Sequence, residues 1–600
     1  MIKVENLSYS FPEKDLYKKV SFTIEDGQHC ALIGTNGTGK TTLVDILLND
    51  EKYLYDGKIT KEINGRVGYV TQYEKEEKDR AITVFDFLSE DFVRIQKETE
   101  AVCKEMETAE ELDALLEKYQ ELLDEFTSID GDNYESNIKK QLKTAGLSNI
   151  EELEISAISG GEYKLLQVVR QMLLMPSLLV LDEPDVFLDF DNLNGLRELI
   201  NSYKGTILAI THNRFLLNHC FNKILHLEDC DIQEFDGNFV EYNFSLLAKK
   251  VEMQEQVAAE QEEIERNQKI VERMRADATR VTSASRGKAL HARVSYLERL
   301  EARRIKAPFV NRRQPKISFP LVEADVELAF GKLDGEVESA NEFPEATRTV
   351  LDVKDYTISY DELLLENVNF TLQEGDKVAI VGPNGTGKTT LLRDIYKNNS
   401  GFISIAEGTV VGFLSQIHGE MLNESNTIYE EFEKIGFENH AAIAEYLSEY
   451  CFEADMLNSK IEVLSGGEKN LLQLAKIAAG TANLLLLDEP TSHLDTYSQI
   501  ALEKSIANYH GTVLMVSHDF YTITNCVDYI LFVEDKSVRR MRTRSFRKMI
   551  YEKHFDKDYL ELEQTKKELE TRIEKLLQEN DYVTAKEVCE KLELVVDKMK

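Results

Sequence analysis

No stretch of the 600 residues is long and apolar enough to cross a membrane. The longest apolar runs, such as Met172 to Leu181, are short and interrupted by Pro176 and Ser177, whereas a spanning helix needs about 18–20 apolar residues. The opening MIKVENLSYSF alternates apolar and polar residues and has no apolar run followed by small ones, which predicts no signal peptide. Cysteine is sparse: seven residues, at 30, 103, 220, 230, 451, 526 and 589, with no Cys-x-x-Cys pair. An odd, scattered set excludes a disulfide framework and a zinc ribbon and fits a reducing compartment, so the expected location is cytoplasmic. Positive charge is short as well, 71 Lys and Arg against 108 Asp and Glu, a formal charge of −37. A surface of that sign excludes coating nucleic acid or anionic membrane with the whole protein and confines any such contact to a local patch.

What the chain does have is length for two or more domains, and an internal repeat. GTNGTGKTTL at 34–43 returns as GPNGTGKTTL at 382–391, ISGGE (158–162) as LSGGE (464–468), LLVLDEP (178–184) as LLLLDEP (484–490), and AITHN (209–213) as MVSHD (515–519). The later pairs are offset by 306 residues and the glycine loops by 348, so the first copy carries 42 extra residues between its loop and its SGGE. That excess falls around 91–147, where leucines and charges alternate at helical spacing; it reads as a protruding helical arm or as a solvated surface insertion without a partner.

Two further segments read as helical. Residues 245–307 are nearly free of Pro and Gly, with a predicted break at Ser283 to Gly287 that would turn two helices into a hairpin. Its second part is cationic: 273–316 holds thirteen basic residues against three acidic ones, whereas 249–272 holds four against seven. A charged helix face open to water accounts for such a run as readily as a binding site does. Residues 317–348 are an irregular connector, and leucine spacing over 553–600, with a polar break at Asn580 and Asp581, predicts a short C-terminal helical hairpin.

The repeated motifs carry chemistry. Gly34-x4-Gly39-Lys40-Thr41 follows the apolar strand HCALI, and Gly382-x4-Gly387-Lys388-Thr389 follows KVAIV, each leading into an apolar helix-like run. Glycines let backbone N–H groups wrap phosphates, and the helix N-terminus adds a favourable dipole. ATP phosphates would meet Gly34, Asn36, Gly37, Gly39, Lys40, Thr41 and Thr42 in one copy, and Gly382, Asn384, Gly385, Gly387, Lys388, Thr389 and Thr390 in the other. Thr41 and Thr389 would hold Mg²⁺ with Asp182 and Asp488, which end apolar strands. The next residues, Glu183 and Glu489, are the expected bases for the attacking water. Gln72 and Gln416, at strand ends, are placed to sense metal and water, and His212 and His518 to touch the γ phosphate.

Together these residues resemble the ATP-binding cassette superfamily, with SGGE as the part that separates it from other phosphate-loop ATPases. The resemblance implies an α/β fold with two cassettes in tandem whose signature loops cap the opposite nucleotide. One site would then join Lys40, Asp182, Glu183, Gln72 and His212 to Ser465, Gly466, Gly467 and Glu468. The other would join Lys388, Asp488, Glu489, Gln416 and His518 to Ser159, Gly160, Gly161 and Glu162. Phe11 and Tyr360 stand where the superfamily stacks an aromatic on adenine, ordinary core packing being the alternative.

Within the superfamily, the chain is most similar to the ABC-F group of translation-associated ATPases, over nearly its whole length. Tandem cassettes, an arm inserted in the first, a linker of about 60–70 residues, DEPTSHLD at 488–495 and a C-terminal helical extension carry the likeness. The expected domains are 1–244, with the arm at about 91–147, the linker 245–316, the connector 317–348, the second cassette 349–552 and the extension 553–600. The linker phrase SRGKALHARVSYLERLE is similar to the group's basic turn, implying tRNA or rRNA contact through Arg280, Arg286, Lys288 and Arg293, and the ribosome as partner of a monomer with paired cassettes. The resemblance implies an ATP-gated clamp that modulates translation; antibiotic protection of the ribosome is the alternative within the group, and the ATPase subunit of a membrane transporter a more distant one. Two departures stand out. DEPDVFLD (182–189) puts Asp185, Val186 and Phe187 where the group has Thr, Asn and His, with THNRF following at 211–215, which predicts slower hydrolysis at the first site. At 536–548, KSVRRMRTRSFRK has seven basic residues where the first copy is acidic, either a second RNA contact or an edge strand kept soluble by charge.

Overall fold

The apolar runs that precede the motifs form strands buried on both faces, as continuous rather than alternating hydrophobicity requires. In the first half these are His29–Ile33, Leu178–Asp182 and Thr206–Ile210, with every residue of the last two buried. They lie in a six-stranded sheet whose spatial order is Val67–Val70, Leu178–Asp182, Thr206–Ile210, His29–Ile33, Lys223–Glu228, Asp231–Asp236. Neighbours are parallel except the last pair, which is antiparallel. The second half repeats the order with Val411–Leu414, Leu484–Asp488, Thr512–Val516, Lys377–Val381, Tyr529–Glu534 and Ser537–Arg542. The strand feeding each glycine loop is thus interior to its sheet, and its carboxyl end opens beside those of the strands ending in Asp182 and Asp488, where parallel sheets place ligands.

A three-stranded antiparallel sheet completes each half: Asp15–Ile24, Ile2–Ser10 and Asp56–Lys61 in the first, Leu363–Gln373, Thr349–Ser359 and Ile403–Ile405 in the second. Its inner face joins the core of the larger sheet, Val4 and Phe22 packing with Leu32, Val180 and Leu208, and Val353 and Leu372 with Ile380, Leu486 and Leu514. This computed structural model describes all residues except 12–14, 64, 72–79, 108–111, 187, 281–292, 295, 297–313, 321–347, 361–362, 438, 555–556 and 600.

The extra residues of the first half are helical, as their periodicity predicts: Val84–Met106, Asp113–Ser128 and Tyr134–Thr144. The first of these starts ahead of residue 91, at the Thr83 N-cap whose hydroxyl accepts from the Asp86 N–H. Its base is tied to the helix that follows SGGE: Arg170 donates to Glu90 at 3.1 Å and to Asp91 at 3.2 Å, and lies over the Phe87 ring.

The chain packs as two units, 1–238 with 314–550, and 239–313 with 551–600. In the second unit, helix Phe239–Arg280 begins at Phe239 rather than at 245. Arg293 donates to Asn267, and the Tyr296 hydroxyl to Glu263 at 2.9 Å, so these two residues lie along the helix in antiparallel order. The C-terminal helices Lys557–Gln578 and Tyr582–Asp597 form a hairpin about the Asn580–Asp581 break. Their Ile573, Ala585, Val588 and Leu592 share a buried cluster with Val240 and Val251 of the linker helix. The sequence showed that hairpin but not that the linker helix is its partner.

Candidate active site between the two halves

Each glycine loop ends in a residue with left-handed backbone, Gly39 at φ 94° and Gly387 at φ 88°, and turns directly into a helix starting at Lys40 or Lys388. A Cβ on Gly39 would lie 2.8 Å from the Tyr17 hydroxyl, so both space and conformation require glycine there. No side chain caps either helix, leaving the first-turn N–H groups directed at a ligand. Lys40 Nζ donates to Gly34 O and Thr35 O, both at 3.0 Å, and Lys388 Nζ to Gly382 O at 2.9 Å and Pro383 O at 2.6 Å. Both ammonium groups are buried, which pulls their pKa down, and among the described residues neither is in ion-pair contact with a carboxylate. A buried cation held only by carbonyls suits a polyanionic ligand, whose charge offsets the desolvation.

Asp182 and Asp488 are buried at the strand ends, and burial pushes both carboxyls up to about 6. The Thr389 hydroxyl donates to Asp488 Oδ1 at 2.9 Å while Oδ2 has no partner, and Asp182 is hydrogen-bonded to Thr41. A buried carboxylate oxygen without a partner beside a threonine hydroxyl is a donor set for a hard cation such as Mg²⁺. Glu183 and Glu489 follow in left-handed backbone, φ 45° and 47°, a strained conformation for a non-glycine residue that both copies keep. Burial and the Asp488 charge raise the pKa of Glu489, against Lys388. It accepts from the His518 N–H at 3.3 Å, and His518 Nε2 lies 3.6 Å away. Burial lowers the pKa of His518 to about 3 and that of His212 well below its ordinary value, so both imidazoles are neutral at pH 7. Both His212 nitrogens are buried without a protein partner, available to a bound phosphate oxygen.

The halves complete each other's sites. Asn36 Nδ2 donates to His493 O at 2.9 Å, and a Cβ on Gly467 would fall 1.9 Å from that Asn36 nitrogen, so the second signature loop lies on the first phosphate loop. Reciprocally, the Asn384 N–H donates to Asp189 Oδ2 at 3.1 Å. Gly160 and Gly161 line a cavity of about 440 Å³ with Asn384, Lys388, Glu489 and His518. Asp495 is the largest charge acting on Lys40, and Asp189 acts on Lys388.

Among the described residues, the phosphate loops, strand-end carboxylates, histidines and signature glycines are brought together, with particular refinements. Ser159 and Glu162, and Ser465 and Glu468, form capping boxes: each serine hydroxyl accepts from the glutamate N–H, and each glutamate accepts from the serine N–H at 2.8 Å. Both carboxylates are thus engaged in shaping the loop. Phe11 and Tyr360 are 47% and 68% exposed, which removes the core-packing alternative. Gln416 is exposed and lines the cavity. Gln72, Phe187, Arg286 and Lys288 lie outside the described residues, as does the side chain of Arg280. Arg293 is half-buried, donating to Asn267 and lying over the Tyr296 ring, so its guanidinium ties its own segment to helix Phe239–Arg280.

Sequence comparison agrees with this geometry. A family model described as ABC transporter matches residues 17–186 and 365–492, and a second of the same description matches 225–319. The chain is 30% identical over 542 residues to the putative ATP-binding protein YdiF of Bacillus subtilis, covering 88% of this chain and 79% of that one. It is 30% identical to ABC transporter F family member 2 of Arabidopsis thaliana, covering 89% and 76%. The chain belongs to the ABC-F family. It is accordingly an ATP-binding ATP hydrolase. Its fold is shared with the archaeal ribosome recycling factor aABCE1, solved in complex with the ribosomal stalk protein aP1, at 18% identity and a TM-score of 0.52 over 91% of this chain and 92% of that one. Among the described residues no helix is long and apolar enough to cross a membrane.

Several site residues were not anticipated. Asp189, which accepts from the opposite phosphate loop, and Asp495, whose charge acts on Lys40 of the opposite loop, close the motifs DEPDVFLD and DEPTSHLD, and their offset of 306 residues is the available signal. The contact of His493 with Glu183 across the interface, Nδ1 to Oε2 3.5 Å, had none.

Proposed function

We propose that this protein is a ribosome-associated ATPase that binds the ribosome and its tRNA with two ATP molecules sandwiched between the cassettes and is released on hydrolysis, thereby modulating translation. The observation that carries the reading is the reciprocal completion of each site by the opposite cassette, since it makes nucleotide occupancy and cassette closure one event. Family membership and the cationic 273–316 segment in a chain of charge −37 support RNA as the partner.

The residues present fit ATP with Mg²⁺. Thr41 with Asp182, and Thr389 with Asp488, would hold the metal, which when bound would neutralise charge on the β and γ phosphates. Lys40 and Lys388 would bind phosphate oxygens in place of their present carbonyl partners. Glu183 and Glu489 orient and deprotonate the attacking water, with neutral His212 and His518 donating to the γ phosphate. Glu489 is protonated more readily than an exposed glutamate because it is buried; a nearby cation lowers its pKa and readies it as a base.

Closure reaches the inserted helices through the Arg170 contacts to Glu90 and Asp91, which couple the helix behind Ser159 to the base of the arm. ATP performs no chemistry on RNA in this scheme; it times binding. Imaging a ribosome complex of the Glu183→Gln/Glu489→Gln variant with ATP tests the assignment. Residues 273–306 should lie against tRNA or rRNA, and a complex in which that segment contacts only solvent or protein would refute it.

A further inference from the structure

The edge strands of the two six-stranded sheets occupy equivalent places in the repeat and carry opposite charge. In the first cassette Asp231–Asp236 pairs with Lys223–Glu228, and its acids meet a lysine across the ladder, Lys223 Nζ lying 2.8 Å from Glu234 and 3.6 Å from Asp236. In the second, Ser537–Arg542 pairs in the same register with Tyr529–Glu534. There Arg539, Arg540 and Arg542 replace Gln233, Glu234 and Asp236, and Tyr529 replaces Lys223. The guanidinium of Arg540 lies 3.6 Å from the centre of the Tyr529 ring. Arg544, Arg547 and Lys548 extend the series into helix Thr543–His554, and Lys536 precedes it in the turn. Arg539, Arg540, Arg542 and Arg544 are exposed, and among the described residues none of the four is in an ion pair.

Protection of a sheet edge from pairing with another chain takes a few charges of either sign, and the first cassette manages it with acids. Arg539, Arg540, Arg542 and Arg544, with no acid between 536 and 548, repel one another and are relieved by a polyanion. Alternation along the strand sets Arg539 on one face of the sheet and Arg540 with Arg542 on the other, so guanidinium groups flank both sides of an exposed ridge. Val538 and Met541 between them are half-buried, so the ridge offers no apolar side chain for insertion into lipid. Five of the seven basic residues at 536–548 are arginine, whose planar fork pairs with phosphate through two hydrogen bonds and stacks on bases, as Arg540 already stacks on Tyr529.

We infer that the edge of the second cassette's sheet, from Arg539 into Arg547, is an RNA-binding surface distinct from the linker hairpin. It goes beyond the ribosomal reading, because RNA affinity on this strand does not depend on ATP gating or on the linker.

The test uses the full chain, a fluorescein-labelled RNA duplex, and vesicles of phosphatidylcholine with phosphatidylserine. The variant Arg539→Gln/Arg540→Glu/Arg542→Asp installs the residues that the first cassette carries at the same register. Its RNA affinity should fall at least tenfold at low salt, and the slope of log affinity against log salt should become shallower by about 2 to 3. ATPase activity without RNA should be unchanged. If that variant misfolds, Arg542→Ala/Arg544→Ala supplies the same reading with a slope change of about 1 to 2. RNA affinity and slope equal to wild type, or a loss confined to the vesicles, overturns the inference. An Arg286→Ala/Lys288→Ala variant separates the two readings: loss of ATP-dependent ribosome binding there leaves the edge-strand RNA affinity intact.

Discussion

His493 of the second cassette faces Glu183 of the first across the interface, its Nδ1 3.5 Å from Glu183 Oε2. His493 is held in left-handed backbone, φ 59°, and its carbonyl accepts from Asn36, so one residue touches both the phosphate loop and Glu183 of the opposite site. In the first cassette the same position is Phe187, which has no group able to hydrogen-bond a carboxylate. The two sites therefore differ where the sequence departs between copies.

Removing the imidazole should loosen Glu183 without removing it. In a Glu489→Gln background, where turnover reports the first site, His493→Ala should lower kcat on the order of tenfold with KM for ATP nearly unchanged, as expected when a catalytic group is mispositioned. His493→Asn, which keeps a hydrogen-bonding side chain, should recover part of the loss. A change confined to KM would speak against positioning.

Asp185, which stands where the second cassette has Thr491, accepts from the Thr211 hydroxyl at 2.6 Å. Burial, with Glu183 nearby, pushes its carboxyl up to about 6 from an ordinary 3.8. A carboxyl with a raised folded pKa costs nothing below the unfolded value, and its penalty grows as pH rises and is complete above the folded one. Asp185→Asn keeps an acceptor for Thr211 and should stabilise the nucleotide-free protein by about 1–3 kcal/mol at pH 7.5. The gain should shrink as pH falls from 6 toward 4, followed by thermal melting. An equal gain at both ends, or a loss at neutral pH, would contradict a buried charge.

Arg214 crosses the interface away from both phosphate loops. It pairs with Glu503, lies 3.3 Å from Asp519 and covers the Tyr521 ring, while Glu503 also accepts from Thr522 at 2.9 Å and Asn525 at 3.0 Å. Burial of Glu503 makes truncation of its partner expensive, so Arg214→Ala should cost about 3–5 kcal/mol. The first thermal transition should fall by several degrees, with Glu503→Gln losing less because no charge is then left alone. Equal melting of Arg214→Ala and wild type would remove this pair from the interface's support.

Much of this architecture was legible because the chain is duplicated. A single Gly-x4-Gly-Lys-Thr is weak, but two copies with strands, SGGE and Asp-Glu in fixed order define the sheets and their catalytic ends. Asp189 and Asp495 sit at the same offset of 306 in the repeat, but only the packing shows that Asp189 accepts from the opposite phosphate loop and that the charge of Asp495 acts on Lys40 of the other loop. Cross-interface pairs such as His493 with Glu183 and Arg214 with Glu503 were beyond reach, since they link residues hundreds of positions apart that are not equivalent in the repeat. The motif points Glu162 and Glu468 toward the nucleotide, and the local Ser-x-x-Glu spacing also spells the capping boxes that the structure shows. Composition groups Arg293 with the cationic tip because it cannot distinguish an arginine open to solvent from one holding Asn267.

The central claim is that each site is built by both cassettes, and ATPase measurement in a one-site background tests it most directly. With Glu489→Gln expected to silence the second site, the remaining turnover should depend on Lys40 and Glu183 of the first cassette and Gly467 of the second. Gly467→Ala places a methyl group against Asn36 and the His493 carbonyl, 1.9 and 2.4 Å away, and should reduce that turnover at least a hundredfold, whereas Gly161→Ala should leave most of it. Retained activity in Gly467→Ala, or an equal loss in Gly161→Ala, would contradict a site shared across the interface.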